Sequence, residues 1–232
     1  MCGRYALYGP TSRLRDQFGA SIDELPPDLG PRYNAAPMQM LPVICQRPTG
    51  ERVAHLLRWG LIPSWSKDES IAAKLINARG ETLAEKPSFR SAYKARRCIV
   101  PASGFYEWKA LPDGKHPYYI KAANDALIGF AALWERWTKP DGGALDTFVL
   151  ITTEANDAMR QLHERMPVIL QPADYEPWLA KGTAPELVRQ LIVPCPNDGL
   201  IMYPVSRAVS NVRNEGAELI TPENTRGRRP EQ

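Results

Sequence analysis

Apolar positions along this chain fall in many short runs, broken by prolines and glycines, and the pattern predicts many short elements. Residues 3–8 read as a strand entering the core, and Thr11 stands where it can cap a short helix through Phe18. Residues 21–37 are loop-rich and end in Arg32-Tyr33-Asn34-Ala35-Ala36-Pro37. Strands are predicted at about 41–47 and 52–59, joined by Pro48-Thr49-Gly50-Glu51. Residues 69–95 read as short helices interrupted by an irregular segment, Asn77-Ala78-Arg79-Gly80-Glu81-Thr82. Strands follow at about 97–100, 103–110, 117–122, 126–134 and 145–152, with Pro112-Asp113-Gly114-Lys115 and Pro140-Asp141-Gly142-Gly143 as hairpin signals. A helix near 155–162 leads to a strand at about 166–170. Helices near 172–180 and 184–192 precede a last strand around 201–206. Strands and helices do not alternate as βαβ units. The expected class is therefore α+β, with a curved and mainly antiparallel sheet flanked by short helices.

Composition narrows the class without naming a function. With 232 residues, 44% hydrophobic and 24% charged, the chain has the make-up of one large or two small globular domains with a real core. No apolar run is long enough to span a membrane. Arg4 interrupts the amino end and no apolar stretch follows, so no signal peptide is expected and the cytosol is the expected compartment. The net charge of +3 is too small to argue for nucleic acid by itself. Of the 29 basic residues 20 are Arg, whose planar fork suits phosphate, but genomic base composition is the better explanation of that bias. Arg226-Gly227-Arg228-Arg229 reads as a solvated end, so residues 1–222 are taken as the domain and 223–232 as a flexible basic tail.

The cysteines, Cys2, Cys45, Cys98 and Cys195, are scattered with no C-x-x-C pair, and His55, His116 and His163 lie far apart. Neither a metal site nor a disulfide framework is expected. The last three cysteines read as small apolar fillers. Cys2 is different. Removal of Met1 would leave it with an α-amine and a thiol on adjacent carbons, a pair that can attack one aldehyde twice. The amine makes a Schiff base and the thiol closes a five-membered thiazolidine ring. An α-amine titrates near ~7.8 against ~10.4 for lysine, so it is far more often neutral at physiological pH. The thiol, near ~8.5, is on the order of 10% thiolate. The alternative is a small buried residue at the start of a strand.

Four further clusters stand out: Trp59-Gly60-Leu61-Ile62-Pro63-Ser64-Trp65, Ile76-Asn77-Ala78-Arg79-Gly80-Glu81-Thr82, a run from Arg97 through Pro101-Ala102-Ser103-Gly104-Phe105-Tyr106-Glu107-Trp108, and His163-Glu164-Arg165-Met166-Pro167-Val168-Ile169-Leu170. Each has a structural alternative. Trp65 suits a core or rim, Asn77 a turn cap, and His163 a helix C-terminus. Alternation puts Glu107 on the face opposite Tyr106 and Trp108; it is either solvent-facing, or buried with its pKa raised toward that of a proton-transfer group.

In this order, with Cys2-Gly3-Arg4-Tyr5 ahead and Pro204-Val205-Ser206-Arg207 and Asn211-Val212 behind, these motifs closely resemble the SRAP (SOS response-associated peptidase) family of abasic-site processing proteins. The resemblance spans essentially the whole chain. It implies a single compact domain with a barrel-like sheet. It implies binding of single-stranded DNA carrying an abasic site, whose ring-opened sugar presents an aldehyde. Capture by the terminal Cys2 would give a stable thiazolidine crosslink that shields the lesion during the DNA-damage response. Self-removal of Met1 and strand cleavage at the sugar are further activities it implies.

By the same resemblance, Cys2 is the nucleophile, Asn77 positions Cys2 and the sugar, Glu107 is the acid–base group, and His163 shuttles protons, for which an ordinary imidazole pKa near ~6.5 is suited. Arg4, Arg79, Arg165 and, less distinctively, Arg90 are candidates for phosphates, and Pro37, Trp65 and Trp108 for apolar or stacking contact with bases. Some relatives carry a second aromatic where this chain has Ser66, which points to a smaller wedge against a partner strand. No cofactor, metal or membrane is implied, and a monomer is expected. The rival enzyme class is an N-terminal-nucleophile amidohydrolase, which can also begin Met-Cys-Gly. The rival binding class is a noncovalent single-strand binder.

Overall fold

A computed structural model describes residues 2–223; Met1 and most of the expected basic tail, including Arg226-Gly227-Arg228-Arg229, lie outside the described residues. The strands are β1 Tyr5–Leu7, β2 Ala20–Ser21, β3 Arg32–Ala35, β4 Met40–Gln46, β5 Arg52–Trp59, β6 Asn77–Arg79, β7 Arg97–Ala102, β8 Gly104–Leu111, β9 Gly114–Ala122, β10 Ile128–Thr138, β11 Ala144–Glu154, β12 Arg165–Pro167, β13 Ile169–Leu170 and β14 Leu200–Pro204. The helices are α1 Ser12–Phe18, α2 Arg90–Ala95, α3 Asp157–Arg160, α4 Tyr175–Leu179 and α5 Pro185–Gln190.

Two sheets organise these elements. One runs β14-β9-β8-β1-β3; the other runs β12-β11-β10-β7-β4-β5-β2. In the second, β11 also pairs parallel with β5, Thr147 opposite Arg58 and Phe148 opposite Trp59, which closes β5-β4-β7-β10-β11 into a barrel. Among the named pairings only β11–β5, β11–β6 and β2–β5 are parallel, so the sheet is mainly antiparallel, as expected. Both hairpin signals act as turns: Leu111 faces Gly114, with Gly114 at φ +119°, and Thr138 faces Ala144, with Gly142 at φ +88°. Glycine suits both because a positive φ costs it little.

Alternation along the strands makes two cores. On one face of the larger sheet Val43, Cys45, Trp59, Cys98, Phe130 and Phe148 pack against Cys2, Tyr5 and Phe105 of the smaller sheet. On the other face Ile44, Ala54, Ile99 and Leu133 pack against Leu14 and Phe18 of α1, Tyr93 of α2, Trp178 of α4 and Val188 of α5. A third, smaller cluster lies on the far side of the smaller sheet, where Tyr106 and Tyr119 meet Val205, Val209 and Leu219 of the C-terminal strap.

Several boundaries differ from the sequence reading for local reasons. The irregular segment at 77–82 opens with β6, three residues stabilised by a parallel partner remote in sequence. The loop-rich stretch at 21–37 ends in β3, which pairs with β1. Thr11 does not cap α1: its own backbone is helical, and its side chain makes no cap bond. The helix near 155–162 is a single turn, α3, capped by Asn156, which accepts from Met159 N at 2.9 Å. The strand at 166–170 is two pieces, because Val168 turns to Ile151 and Ala131.

The strap is tied down by Asn34, which is fully buried. Its Nδ2 fans to the carbonyls of Val209 at 3.2 Å, Asn211 at 3.0 Å and Asn214 at 2.9 Å, while its Oδ1 accepts from Arg4 Nη1 at 2.7 Å. Asn34→Ala leaves these groups without their partner, so a loss of roughly 2–4 kcal/mol is expected. Urea unfolding monitored by tryptophan fluorescence measures it; a loss below ~0.5 kcal/mol would mean that apolar packing alone holds the strap.

Candidate active site at Cys2

The amino end is drawn inward by β1, which lies between β3 and β8. Tyr5 faces Phe105, and Tyr106 N donates to Arg4 O at 3.0 Å, so β8 runs alongside the first residues. A side chain on Gly104 would have met the Tyr119 ring at 2.4 Å and Ile120 O at 2.6 Å; glycine is required where β8 and β9 approach. Cys2 is fully buried. Glu107 is buried too, at 3% exposure, which rules out the solvent-facing alternative for this residue.

Asn77 closes the group from the other sheet. Its Nδ2 donates to Cys2 O at 2.8 Å. Two contacts place it: Leu150 of β11 faces Asn77, and Trp59 Nε1 donates to Ile76 O at 2.9 Å. Asn77 Oδ1 is buried and accepts no hydrogen bond among the described residues. The Tyr5 hydroxyl is in the same condition and lies within electrostatic reach of Cys2. Burial, and then the Glu107 carboxylate, push the Cys2 thiol far above the ordinary thiol range. With Met1 still attached, Cys2 is thus a protonated thiol.

His163 is half-buried just after α3. Its Nδ1 accepts from Arg165 N at 2.9 Å, which leaves Nε2 to carry the proton of the neutral ring. That bond fixes the ring to the turn before β12. Arg165 forms a paired contact with Glu81 at 2.7 and 2.9 Å and also donates to Thr152 O at 2.7 Å. That partner holds the Glu81 carboxyl below its usual range. Arg79 and Arg165 line an open cavity of about 470 Å³ with Arg160, Glu154 and Glu164. Arg79 is exposed there.

Arg4 is largely committed to structure. Besides Asn34, its guanidinium donates to Val209 O at 2.8 Å and Ser210 O at 3.4 Å, and it sits 6.0 Å from the Trp108 ring centre. Trp108 Nε1 donates to Ser210 Oγ at 3.0 Å. Arg90 is exposed on α2, in the helical layer and not among the residues around Cys2. Pro37 is half-buried and precedes Met38, whose φ is +72°. Trp65 is 60% exposed on the loop after β5, the most exposed of the large apolar side chains described. Ser66 shapes that loop through its carbonyl, which accepts from Trp137 Nε1 at 2.8 Å. Sequence reasoning gave no role to Asn34, Trp59 or the Tyr5 hydroxyl. All three lie within quoted motifs, but what they touch depends on contacts remote in sequence.

With this geometry in place, the relatives are informative. A family model described as SOS response associated peptidase (SRAP) matches residues 1–212. The abasic site processing protein YoaM of Bacillus subtilis is 44% identical over 228 residues, covering 97% of this chain and 99% of its own length. The abasic site processing protein YedK of Escherichia coli is 32% identical over 237 residues, covering 96% of this chain and 100% of its own. A crystal structure of a protein from Bacteroides thetaiotaomicron shares the fold with a TM-score of 0.87 at 25% identity, covering 96% of this chain and 100% of that one.

The charge beside Cys2 sets a first test. Glu107→Gln removes an anion that opposes the thiolate, so the thiol pKa falls and alkylation of Cys2 by iodoacetamide becomes severalfold faster at any pH below that pKa. Peptide mass spectrometry over a pH series reads the rate. An unchanged or slower rate would show that the carboxylate does not act on this thiol.

Proposed function

The chain belongs to the SRAP family, and from that premise we propose that it processes abasic sites in single-stranded DNA by forming a covalent link through Cys2. Relatives named for abasic site processing, YoaM and YedK among them, support the substrate. The single observation that carries the chemistry is the clamped amino end: Asn77 holds the Cys2 carbonyl at 2.8 Å, and Glu107 is buried beside it.

In this reading Met1 is removed first, by Cys2 itself or by an aminopeptidase. The freed α-amine then adds to the aldehyde carbon of the ring-opened sugar. Loss of water gives a Schiff base, with Glu107 taking the proton from the attacking amine and delivering it to the departing oxygen. The thiol then adds across the C=N bond. Its sulfur bonds to carbon and its proton ends on nitrogen, which closes the thiazolidine. Fixing the Cys2 backbone makes both steps intramolecular in effect. The unused Asn77 Oδ1 accepts from a sugar hydroxyl. His163, with its proton on Nε2, serves opening of the sugar and reversal of the link. Strand cleavage at the sugar is a side activity of the same groups.

Arg79 and Arg165 take flanking phosphates, with Arg4 contributing from its partly buried position, and Arg90 reaches only more distant DNA. Trp65, Trp108 and Pro37 offer apolar surface to neighbouring bases. With Ser66 beside it, Trp65 presents a single exposed indole on that loop, which favours plain single strands over junctions.

Two experiments follow. Protein freed of Met1, incubated with single-stranded DNA bearing one abasic site and then denatured, should give a persistent shifted band without reductant. Intact DNA, Cys2→Ala and protein retaining Met1 should give none. Equal crosslinking by Cys2→Ala would sink the assignment. Glutamine hydrolysis blocked by a glutamine-like electrophile would point instead to an amidohydrolase, and a salt-sensitive complex lost on denaturation to a noncovalent binder.

The second experiment separates chemistry from binding. Asn77→Ala should slow crosslinking roughly 10- to 100-fold while leaving affinity for intact single strands unchanged, since it loosens the reacting group alone. Arg79→Ala should do the reverse, lowering affinity and reducing the slope of log affinity against log salt by about 0.7. If both variants lost affinity equally, Asn77 would be a DNA-binding residue and not a positioning one.

A further inference from the structure

Cys45 and Cys98 play no part in the chemistry above, yet the barrel brings them together. In the antiparallel pairing of β4 with β7, Ile44 faces Ile99, so the next position on each strand sets Cys45 opposite Cys98. Directly opposed residues of antiparallel strands have Cα atoms about 4.5–5.5 Å apart. That spacing lies inside the ~4.4–6.8 Å range of disulfides. Both side chains belong to the same buried cluster, so they emerge on the same face. Cys98 is fully buried and Cys45 is 8% exposed.

The two thiols differ in surroundings. Cys45 lies on the wall of a cavity of about 440 Å³ that opens to solvent, with His55, Glu24, Arg136 and Asp146 around it. These polar groups are paired with one another, His55 Nδ1 with Glu24 at 2.7 Å and Arg136 with Asp146 at 2.7 Å, which makes the wall wettable. Burial, and then the neighbouring Cys45 sulfur, hold the Cys98 thiol well above the ordinary range. Cys98 therefore keeps its proton until a leaving group can take it. The other two cysteines have no such neighbour among the described residues: Cys2 is bound to the site, and the Cys195 sulfur accepts from Asn156 Nδ2 at 3.8 Å.

We propose that Cys45 and Cys98 are a reversible cross-strand thiol pair that a hydroperoxide entering by the Cys45 cavity oxidises to a disulfide. The first step is attack by Cys45 sulfur on a peroxide oxygen. An S–O bond forms, the O–O bond breaks, and with hydrogen peroxide one water leaves. The second step is attack by Cys98 sulfur on the sulfenic sulfur of Cys45. An S–S bond forms, the S–O bond breaks, and the Cys98 proton leaves with hydroxide as a second water. The peroxide is reduced by two electrons and the thiol pair is oxidised by two. The link ties β4 to β7 beneath the cluster that holds Cys2 without consuming Cys2. Disulfides of reducing compartments are commonly transient and redox-sensing, which fits a pair that opens again with thiol reductant.

The test uses the full chain, reduced and then treated with hydrogen peroxide in modest excess. After quenching, unfolding, alkylation and digestion, the peptides containing Cys45 and Cys98 should be found joined, and dithiothreitol should separate them. Titratable thiols should fall from the four of the reduced chain to two. In Cys45→Ala, a small change at a buried apolar site, the loss of paired thiols should vanish. Cys45 recovered as sulfinic acid with Cys98 alkylated would overturn the proposal. So would a link made to Cys2 or Cys195, or an undiminished loss of thiols in Cys45→Ala.

Discussion

A chain terminus normally frays, so the constraint on which this structure depends is the burial of its amino end. Residues 5–7 are held between two partners, β3 and β8, and Cys2 is fully buried ahead of them. That placement requires hydrogen bonds from several directions. Asn77 satisfies the Cys2 carbonyl from the larger sheet, and β8 satisfies Arg4. Asn34 then uses the Arg4 guanidinium to bind the C-terminal strap. The last described segment thus covers the strand that carries the first residues. Both faces of the smaller sheet are covered as a result: the barrel packs on one and the strap on the other.

This double covering explains what was and was not legible in the sequence. Hairpins at Asp113-Gly114 and Asp141-Gly142-Gly143 were readable because local backbone chemistry decides them. Alternation put Glu107 on the face opposite Tyr106, which holds. It could not say which face was wet, because in the folded chain neither is. Tyr106 goes under the strap and Glu107 goes toward Cys2. The strand β6 was unreadable for a related reason. Three residues carry almost no periodic signal, and their partner, β11, lies far along the chain and runs parallel. The motif around Asn77 was visible as chemistry while its strand was not visible as structure. Thr11 shows the converse: a good capping residue was present, but the backbone there had already turned helical.

The basic residues divide by what already holds them. Arg4 has its donors spent on Asn34 and two strap carbonyls, and burial lowers its pKa from the usual guanidinium range. A phosphate approaching Arg4 must share it with the strap. Arg165 is held flat by Glu81 in the two-point geometry that it would also offer a phosphate. Glu81 therefore both orients Arg165 and competes with any anion for it. Arg79 is exposed and, among the described residues, makes no hydrogen bond to Glu81, so in the proposed reading it is the arginine of the three most open to a phosphate.

The raised pKa of the Cys2 thiol looks at first unsuited to a nucleophile, since a thiolate is the reactive form. The order of the proposed steps removes the difficulty. The amine attacks first, so the thiol needs no reactivity toward the aldehyde as an independent nucleophile. When its turn comes the imine carbon is already bonded to the nitrogen of the same residue, in reach of a five-membered ring closure, and orientation supplies what ionisation does not. The nitrogen of the Schiff base also needs the proton that sulfur gives up. A carboxylate beside a buried thiol keeps that proton in place until the imine exists. Before then it makes Cys2 a poor target for oxidants that a free thiolate would meet. In the proposed reading, a neutral thiol both protects Cys2 while it waits and supplies the proton that ring closure requires.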